Sequence, residues 1–269
     1  MSRIIGPIRK KNTIRNHEYI LEKFREQFNE RELDSITADE IMAFLNEIAG
    51  GKKQTTKRVR YSLLKAFFNF IKNTIDHDLQ NPCDTPIMRK IFKSPKMVEW
   101  TILEKESVDE IIFRQTIQRN RIILELMARG GLRVGEVLNL TPNDIEDQKL
   151  AIREPKSSKE VEYAYIPLKL ADRLKEYIRV KRINPTSRVF PISYAAARIM
   201  VQKAGKLVEI DLKCHDLRRH SATYASRSGT PIEIVSKVIL RHANLSMTQR
   251  YLGKITDSEA IRWIDNLYG

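Results

Sequence analysis

The first third of the chain carries apolar side chains at the three- and four-residue spacing that is typical of amphipathic helices. The first stripe contains Ile14, His17, Leu21, Phe24 and Phe28. A second helix is predicted to begin after Thr37, because Thr37 and Glu40 form a capping-box pattern. The apolar face of this second helix contains Ile41, Phe44, Leu45 and Ile48.

A third, longer helix is predicted from residue 54 to residue 74. The side chains predicted to face inward on it are Val59, Leu63, Phe67, Phe70 and Ile71. The prolines between Asn81 and Pro86 then interrupt the helical pattern, and an extended stretch follows. We place a domain boundary near residues 93 to 101, which predicts a helical domain at 1–95 and a second domain at 96–269.

The second domain is predicted to open a helix at a further capping-box pattern, Ser107 with Glu110, and to remain mostly helical to Asn139. Two β-like segments, 149–153 and 161–166, are separated by a turn at Pro155. The predicted helices after them span 168–182, 193–206, 216–227 and 230–240. Thr230 is the predicted N-cap of the last of these, with Pro231 at its first position.

A short final helix is predicted to be capped by Thr256. Its apolar stripe contains Ala260, Ile261, Ile264 and Leu267. The whole pattern predicts a mainly α-helical, two-domain protein with a small β-sheet.

Charge gives the first indication of a partner. The 269 residues carry a formal net charge of +14, which favours a polyanionic ligand. Between Ile48 and Ile75 there is no acidic residue, and the basic side chains are Lys52, Lys53, Lys57, Arg58, Arg60, Lys65 and Lys72. This block is predicted to contact DNA phosphates, or to be the solvated outer face of a core helix, and both interpretations can hold at once.

Cysteine content and hydropathy narrow the class of protein. Cys83 and Cys214 are isolated, so a disulfide framework and a cysteine-based zinc site are excluded. No stretch approaches the roughly 20 apolar residues of a membrane span, and the N-terminus lacks the apolar core of a signal peptide. We therefore expect a soluble cytoplasmic protein without membrane contact, associated with the nucleoid of a prokaryote or phage-type system.

The candidate chemistry lies in five spaced residues, namely Arg133, His215, Arg218, His242 and Tyr251. A tyrosine can attack phosphorus and hold it as a covalent ester. Guanidinium groups can bind the phosphate oxygens through paired N–H donors, and histidines can exchange protons near neutral pH. The set predicts an enzyme that cuts and joins DNA without a metal or other cofactor.

This arrangement resembles the tyrosine recombinase family, which includes the phage integrases and the Xer and Cre-like enzymes. The family pattern places an arginine in a Gly-Leu-Arg-x-x-Glu helix, a lysine on a β-hairpin, a His-x-x-Arg box, a second histidine and a tyrosine, in that order. Its counterparts here are Arg133, Lys156, His215, Arg218, His242 and Tyr251, with Glu136 as a supporting residue. The segments Leu140–Asp144 and His242–Tyr251 also resemble the family, and the likeness extends over about residues 101 to 252.

Two positions stay open within the resemblance. Lys156 and Lys159 both fit the tip of the hairpin, and Lys156 is preferred as the general acid. The residue before the second histidine is usually glycine in this family and is Arg241 here. This arginine either makes one more phosphate contact or shifts the loop that carries His242.

The resemblance implies a helical N-terminal core-binding domain that clamps DNA, an α+β catalytic domain, and strand exchange through a 3′-phosphotyrosyl intermediate and a Holliday junction. It implies a specific double-stranded recombination site, a monomer when free and a homo-tetramer on DNA, with room for a partner recombinase or accessory protein. The alternatives are a type IB topoisomerase-like relaxing enzyme, a DNA-bound factor with a decayed site, and a metal-dependent nuclease.

Overall fold

The structure is a computed structural model that describes residues 11–93, 102–153, 161–249, 251–252 and 257–268. The chain divides into two compact units, Met1–Val98 and Glu99–Gly269. Among the described residues, no helix combines the length and the apolar character that are needed to cross a membrane.

The first unit is helical. Its helices are α1 (Lys11–Phe28), α2 (Ala38–Ile48), α3 (Gln54–Thr74) and α4 (Pro86–Ile91). The capping box at the start of α2 is confirmed, because the Glu40 N–H donates to Thr37 Oγ1 at 3.3 Å and the Thr37 N–H donates to Glu40 Oε2 at 2.9 Å. Phe24 of α1 packs edge-on against Phe44 of α2 and Phe68 of α3, so aromatic contacts join the three helices.

The buried face of α3 differs from the prediction by about one residue. It contains Tyr61, Leu64 and Phe68, whereas Val59 is 49% exposed. Tyr61 is not among the side chains that were predicted to face inward, and it carries a hydroxyl. Its ring stacks on Phe92 at 4.9 Å, and its hydroxyl donates to the Cys83 carbonyl at 3.0 Å, so burial leaves no unpaired polar group.

The second unit combines helices with a small antiparallel sheet. Its elements before and within the sheet are α5 (Lys105–Phe113), α6 (Gln118–Ala128), α7 (Val134–Asn139), β1 (Ile145–Glu146), β2 (Lys149–Arg153) and β3 (Val161–Tyr165). The elements after the sheet are α8 (Leu168–Val180), α9 (Tyr194–Lys206), α10 (Cys214–Arg227), α11 (Ile232–Ile234), α12 (Leu245–Gln249) and α13 (Asp257–Tyr268). The strand order is β1-β2-β3, with Leu150 opposite Ala164.

The core of this unit surrounds α6, whose residues 122 to 128 are all buried. This helix packs against both α8 and α10, and the buried side chains of β2 extend the same core. Because α10 rests on the most buried helix of the unit, the side chains that it presents are held on a rigid support.

Two predicted helix starts are wrong. Ser107 lies inside α5, which begins at Lys105 and is stabilised in its first turn by a 2.6 Å ion pair between Lys105 and Asp109. Thr230 does not cap α11, whose N-cap is Pro231 without a side-chain hydrogen bond. The helix continues from Val235 to Ile239 as a π-helical turn, which widens the backbone just before the segment of His242. Thr256, the predicted cap of the last helix, lies outside the described residues.

A glycine turn between α6 and α7 allows two segments to approach closely. Gly131 has φ +62°, a left-handed conformation that favours glycine. A Cβ atom at this position would lie 2.8 Å from Ile239 Cγ2 and from the Ile239 carbonyl oxygen. The missing side chain therefore lets the loop before α7 pack directly on the π-helical turn.

We expect Gly131→Ala to lower the free energy of unfolding by about 1–3 kcal/mol, the usual cost of a non-glycine residue in this conformation, with the steric contact adding to it. Gly135→Ala is the matched control. Gly135 lies within α7 with nothing within 4 Å of a Cβ, so the change should raise stability by about 0.5–1 kcal/mol. Urea denaturation of both variants measures the difference, and equal effects at the two positions would contradict this account of the turn.

Candidate active site

Helix α10 presents His215 and Arg218 on one face, three residues apart. The helix begins one residue before His215, because the Asp216 carboxylate accepts the Lys213 N–H at 2.9 Å and caps the first turn. His215 therefore lies at the helix start, where it is exposed, and Arg218 lies one turn deeper.

Arg218 is the largest of the side chains that are almost completely buried, with 1% of its surface exposed. Its two terminal nitrogens donate to the carbonyl oxygens of Gly131 and Leu240, which connects the loop before α7 to the segment before His242. Burial, and then the positive charge of Arg133, lowers the pKa of Arg218 to about 9. Its Nε atom is buried and has no hydrogen-bond partner among the described residues, so the group still has a donor to offer an anion.

Arg133 is the N-cap residue of α7 and does not lie within the helix. Its backbone N–H donates to Glu136 Oε2 at 2.9 Å, and its Nη1 donates to Glu136 Oε1 at 2.6 Å. The Arg133 side chain is 25% exposed, whereas that of Glu136 is 9% exposed. The more deeply buried Glu136 thus orients Arg133 and leaves part of its guanidinium open to a ligand.

Tyr251 lies between two imidazole rings. Its hydroxyl is 2.6 Å from His215 Nε2, and its ring is centred 5.0 Å from that of His242. The Tyr251 N–H donates to the Thr248 carbonyl at 2.8 Å, and the Thr223 hydroxyl donates to the Tyr251 carbonyl at 2.9 Å. The phenol is therefore placed by its backbone as well as by its ring contacts.

Although His215 lies at the surface, the surrounding protein removes part of the water from its ring, and this desolvation, followed by the charges of Arg219 and Arg218, lowers its pKa below the ordinary value. His215 is then neutral at pH 7, and a neutral imidazole nitrogen can accept a hydrogen bond. At 2.6 Å from the Tyr251 hydroxyl, His215 Nε2 is within reach of the phenolic proton, so this pair can serve as nucleophile and general base.

A buried chain of hydrogen bonds holds His242, which is 7% exposed. Its Nδ1 lies 3.0 Å from Thr248 Oγ1, and the Thr248 hydroxyl donates to Ser236 Oγ at 2.8 Å. The contact with Thr248 therefore engages the Nδ1 side of the His242 ring. The bonding pattern therefore leaves Nε2 of His242 for a ligand, and neither Thr248 nor Ser236 was predicted from the sequence.

Arg241 makes contacts that the sequence did not predict. It is buried, with φ +51°, and its Nη2 donates to Glu136 Oε2 at 2.6 Å. Its Nη1 donates to the Ile239 carbonyl at 3.0 Å. The sequence distance of 105 residues between Arg241 and Glu136 gives no local pattern by which this ion pair could be found.

Lys156 and Lys159 both lie outside the described residues. The base of their hairpin is described, because Arg153 pairs with Val161 at the ends of β2 and β3. Arg153 also forms an ion pair with Asp144, which is 4% exposed and accepts the Thr141 N–H at 2.9 Å. Sequence reasoning missed this anchor, although the spacing of Thr141 and Asp144 is that of a cap.

The predicted DNA-binding block lies in the first unit, and only some of its basic side chains are exposed to a phosphate. Lys52, Lys53 and Arg58 are exposed, whereas Lys57 is half-buried. The guanidinium of Arg60 lies 5.0 Å from the centre of the Tyr19 ring, and Lys65 Nζ pairs with Asp84 at 2.6 Å. The cations at the start of α3 are therefore more open to a phosphate than those along it.

Comparison with known proteins identifies both units. The model of the phage integrase family matches residues 102–256, and that of the phage integrase N-terminal SAM-like domain matches residues 8–74. The tyrosine recombinases XerA of Pyrococcus horikoshii and Pyrococcus furiosus are 30% and 31% identical to the chain. Each alignment covers 90% of this chain, and it covers 82% and 83% of the two relatives, respectively.

Solved structures show the same fold at low sequence identity. The Tn1549 transposon integrase in complex with transposon right end DNA superposes with a TM-score of 0.74 at 17% identity, over 98% of this chain and 96% of that one. The XerH site-specific recombinase bound to a palindromic difH substrate gives 0.72 at 20% identity, over 95% of this chain and 79% of that one.

Stability should depend on pH through His242. Burial, and then the charges of Arg218 and Arg133, lowers its pKa to about 4 from the ordinary value of 6.5. Between these values the unfolded chain binds a proton that the folded chain does not, so stability decreases as the pH falls through this window. His242→Asn keeps a donor for Thr248 but does not titrate there.

The free energy of unfolding should be measured by urea denaturation at pH 7 and at pH 4.5. Between the two conditions it should decrease by on the order of 1–2 kcal/mol more in the wild-type protein than in His242→Asn. An identical loss in both proteins would show that the His242 ring is not held neutral.

Proposed function

This chain belongs to the phage integrase family and is a site-specific tyrosine recombinase, and we propose that Tyr251 is the nucleophile that cuts each DNA strand. The observation that carries this assignment is the 2.6 Å contact between the Tyr251 hydroxyl and His215 Nε2, in a site that also contains Arg133 and Arg218. As the oxygen–phosphorus bond forms, His215 accepts the phenolic proton. The bond from phosphorus to the 5′ oxygen breaks, which leaves a 3′-phosphotyrosyl ester and a 5′-hydroxyl.

Arg133 and Arg218 would hold the scissile phosphate. The exposed part of the Arg133 guanidinium and the unpartnered Nε of Arg218 are the donors that remain for its oxygens. Fixed donors of this kind stabilise the charge that grows on phosphorus in the transition state. His242, held by Thr248, would add a further contact through Nε2.

The departing 5′ oxygen needs a proton, and Lys156 is the proposed donor, with Lys159 as the alternative. The ester conserves the energy of the broken bond, so the 5′-hydroxyl of a second duplex can displace Tyr251 without ATP. Repetition on the other strands forms and resolves a Holliday junction. The curated relatives are named as recombinases, and no observation favours the relaxing-enzyme alternative.

The first unit would serve as the core-binding domain on double-stranded DNA. Support comes from the match to the phage integrase SAM-like domain and from the exposed cations Lys52, Lys53 and Arg58. Each phosphate that such cations neutralise releases counterions, which makes binding sensitive to salt.

Assembly would involve the last helix. Ile261 and Ile264 of α13 are 60% and 56% exposed, whereas Trp263 approaches the helix's own unit near Gly229. An apolar pair that is left open on a short helix suits docking on a neighbouring copy. We therefore propose a monomer in solution and a homo-tetramer on DNA, in which this helix contacts the next subunit.

Tyr251→Phe tests the nucleophile, because it removes only the phenolic oxygen. The DNA site is first obtained by sequencing the DNA that stays attached to the wild-type protein after denaturing purification from cells. On a nicked suicide substrate of that sequence, the variant should bind with a Kd within about threefold of wild type and form no covalent adduct. A persistent adduct on a denaturing gel would remove Tyr251 from this role, and Tyr165→Phe, on the exposed face of β3, is the matched control.

The two candidate lysines can be separated by leaving-group chemistry. A 5′-thiolate leaves without protonation, so a substrate with sulfur at the bridging 5′ position does not need a general acid. Lys156→Ala should cleave the oxygen substrate slowly and the sulfur substrate at close to the wild-type rate. The same rescue of Lys159→Ala, in place of Lys156→Ala, would transfer the role to Lys159.

A further inference from the structure

Arg241 is a third arginine in the active site, and the mechanism above gives it no role. It follows the π-helical turn and directly precedes His242, and it is 6% exposed. Its backbone has φ +51°, a conformation that is strained for a residue with a side chain. The strained backbone conformation occurs together with hydrogen bonds from the Arg241 guanidinium, and these contacts indicate its role.

The guanidinium is held on three sides. Its Nη2 donates to Glu136 Oε2 at 2.6 Å, its Nη1 donates to the Ile239 carbonyl at 3.0 Å, and its Nε lies 3.8 Å from Glu162 Oε2 on β3. Nε makes no hydrogen bond to any described residue, but it is buried and faces the Glu162 carboxylate, which would repel a phosphate. The geometry therefore favours a role that Arg241 exerts through Glu136.

Glu136 is shared between two arginines. Its Oε1 accepts from Arg133 Nη1, and its Oε2 accepts from both the Arg133 N–H and Arg241 Nη2. Burial opposes ionisation of this carboxyl, but the charge of Arg241, followed by the contacts with Arg133, holds the pKa of Glu136 below its ordinary value. Glu136 consequently remains a carboxylate although it is almost buried.

The sharing matters when DNA binds, an argument that rests on the proposed role of Arg133 at the scissile phosphate. If Arg133 turned its guanidinium to the phosphate and Arg241 were absent, Glu136 would lose its side-chain counter-charge. A buried carboxylate without a partner is strongly unfavourable, so Arg133 would be retained at Glu136. With Arg241 in place, Glu136 keeps at least one ion pair, whether Arg133 stays at Glu136 or turns to the phosphate.

We propose that Arg241 is a positioning residue for Arg133: by its ion pair with Glu136, it allows the Arg133 guanidinium to engage the scissile phosphate without leaving Glu136 unpaired. Arg241 touches neither the DNA nor the nucleophile in this role. Its effect belongs to the cleavage step and reaches Arg133 through Glu136, whereas the longer contact with Glu162 helps to hold the Arg241 guanidinium in place.

Arg241→Met removes the charge and keeps much of the volume. We expect single-turnover cleavage of a suicide substrate at saturating DNA to slow by roughly 10- to 100-fold, the scale of a misplaced catalytic group, while the Kd for a half-site stays within about threefold. Arg241→Gly should slow cleavage equally although glycine relieves the backbone strain, so a loss of stability does not explain the effect. Arg179→Met is the control, because it removes an exposed charge whose ion pair within the described part of the chain is with Glu176.

A double-mutant cycle tests the route through Glu136. Arg241→Met in a Glu136→Gln background should have little further effect on cleavage, because the Glu136 charge that links Arg241 to Arg133 is already absent. It should also have little effect in an Arg133→Ala background. Effects that multiply independently in both backgrounds would overturn the proposal, as would a wild-type cleavage rate in Arg241→Met or a loss confined to DNA affinity.

The proposed function is tested separately in the same assay by Tyr251→Phe. If that variant still formed an adduct, the nucleophile would be wrong, yet the cleavage rates of the Arg241 cycle would still be measurable. Retention of the coupling would then support the positioning role alone, and its absence would reject it.

Discussion

The active site depends on one buried charge, the guanidinium of Arg218. Its terminal nitrogens bind the carbonyl groups of Gly131 and Leu240, and these belong to the segments that carry Arg133 and His242. An ion inside a protein is tolerated only with such partners, so both segments must present their carbonyls in one geometry. The side chain that is proposed to bind the phosphate therefore also holds together the segments that carry Arg133 and His242.

Much of the fold follows from local pattern. The long helix at 54–74 has the predicted bounds, and the two main strands lie where predicted, because strong periodicity survives in any packing arrangement. Helix starts were less predictable. The capping patterns at Ser107 and Thr230 occur in the sequence without being used, since an ion pair in the preceding turn at Lys105 and the ring of Pro231 determine where these helices begin.

The candidate residues were found because each lies in a short sequence motif. Apart from Glu136, the residues that position them were missed. Thr248, which orients His242, is an ordinary threonine until the two are brought together. Arg241 and Glu136 are 105 residues apart, and only the tertiary fold shows that they meet. The buried face of α3 was misplaced for a related reason, because the polar Tyr61 becomes a core residue once the Cys83 carbonyl accepts its hydroxyl.

The contact between Tyr251 and His215 bears on which subunit supplies the residues for each cleavage event. Both residues belong to one chain, so the proposed nucleophile and its proposed base meet without a contribution from a second subunit. With Tyr251 as the proposed nucleophile, this geometry favours cleavage in cis, in which each copy would cut the half-site that it binds. Control over which strand is cut first would then act either on the position of the phosphate or on the contact between the Tyr251 hydroxyl and His215.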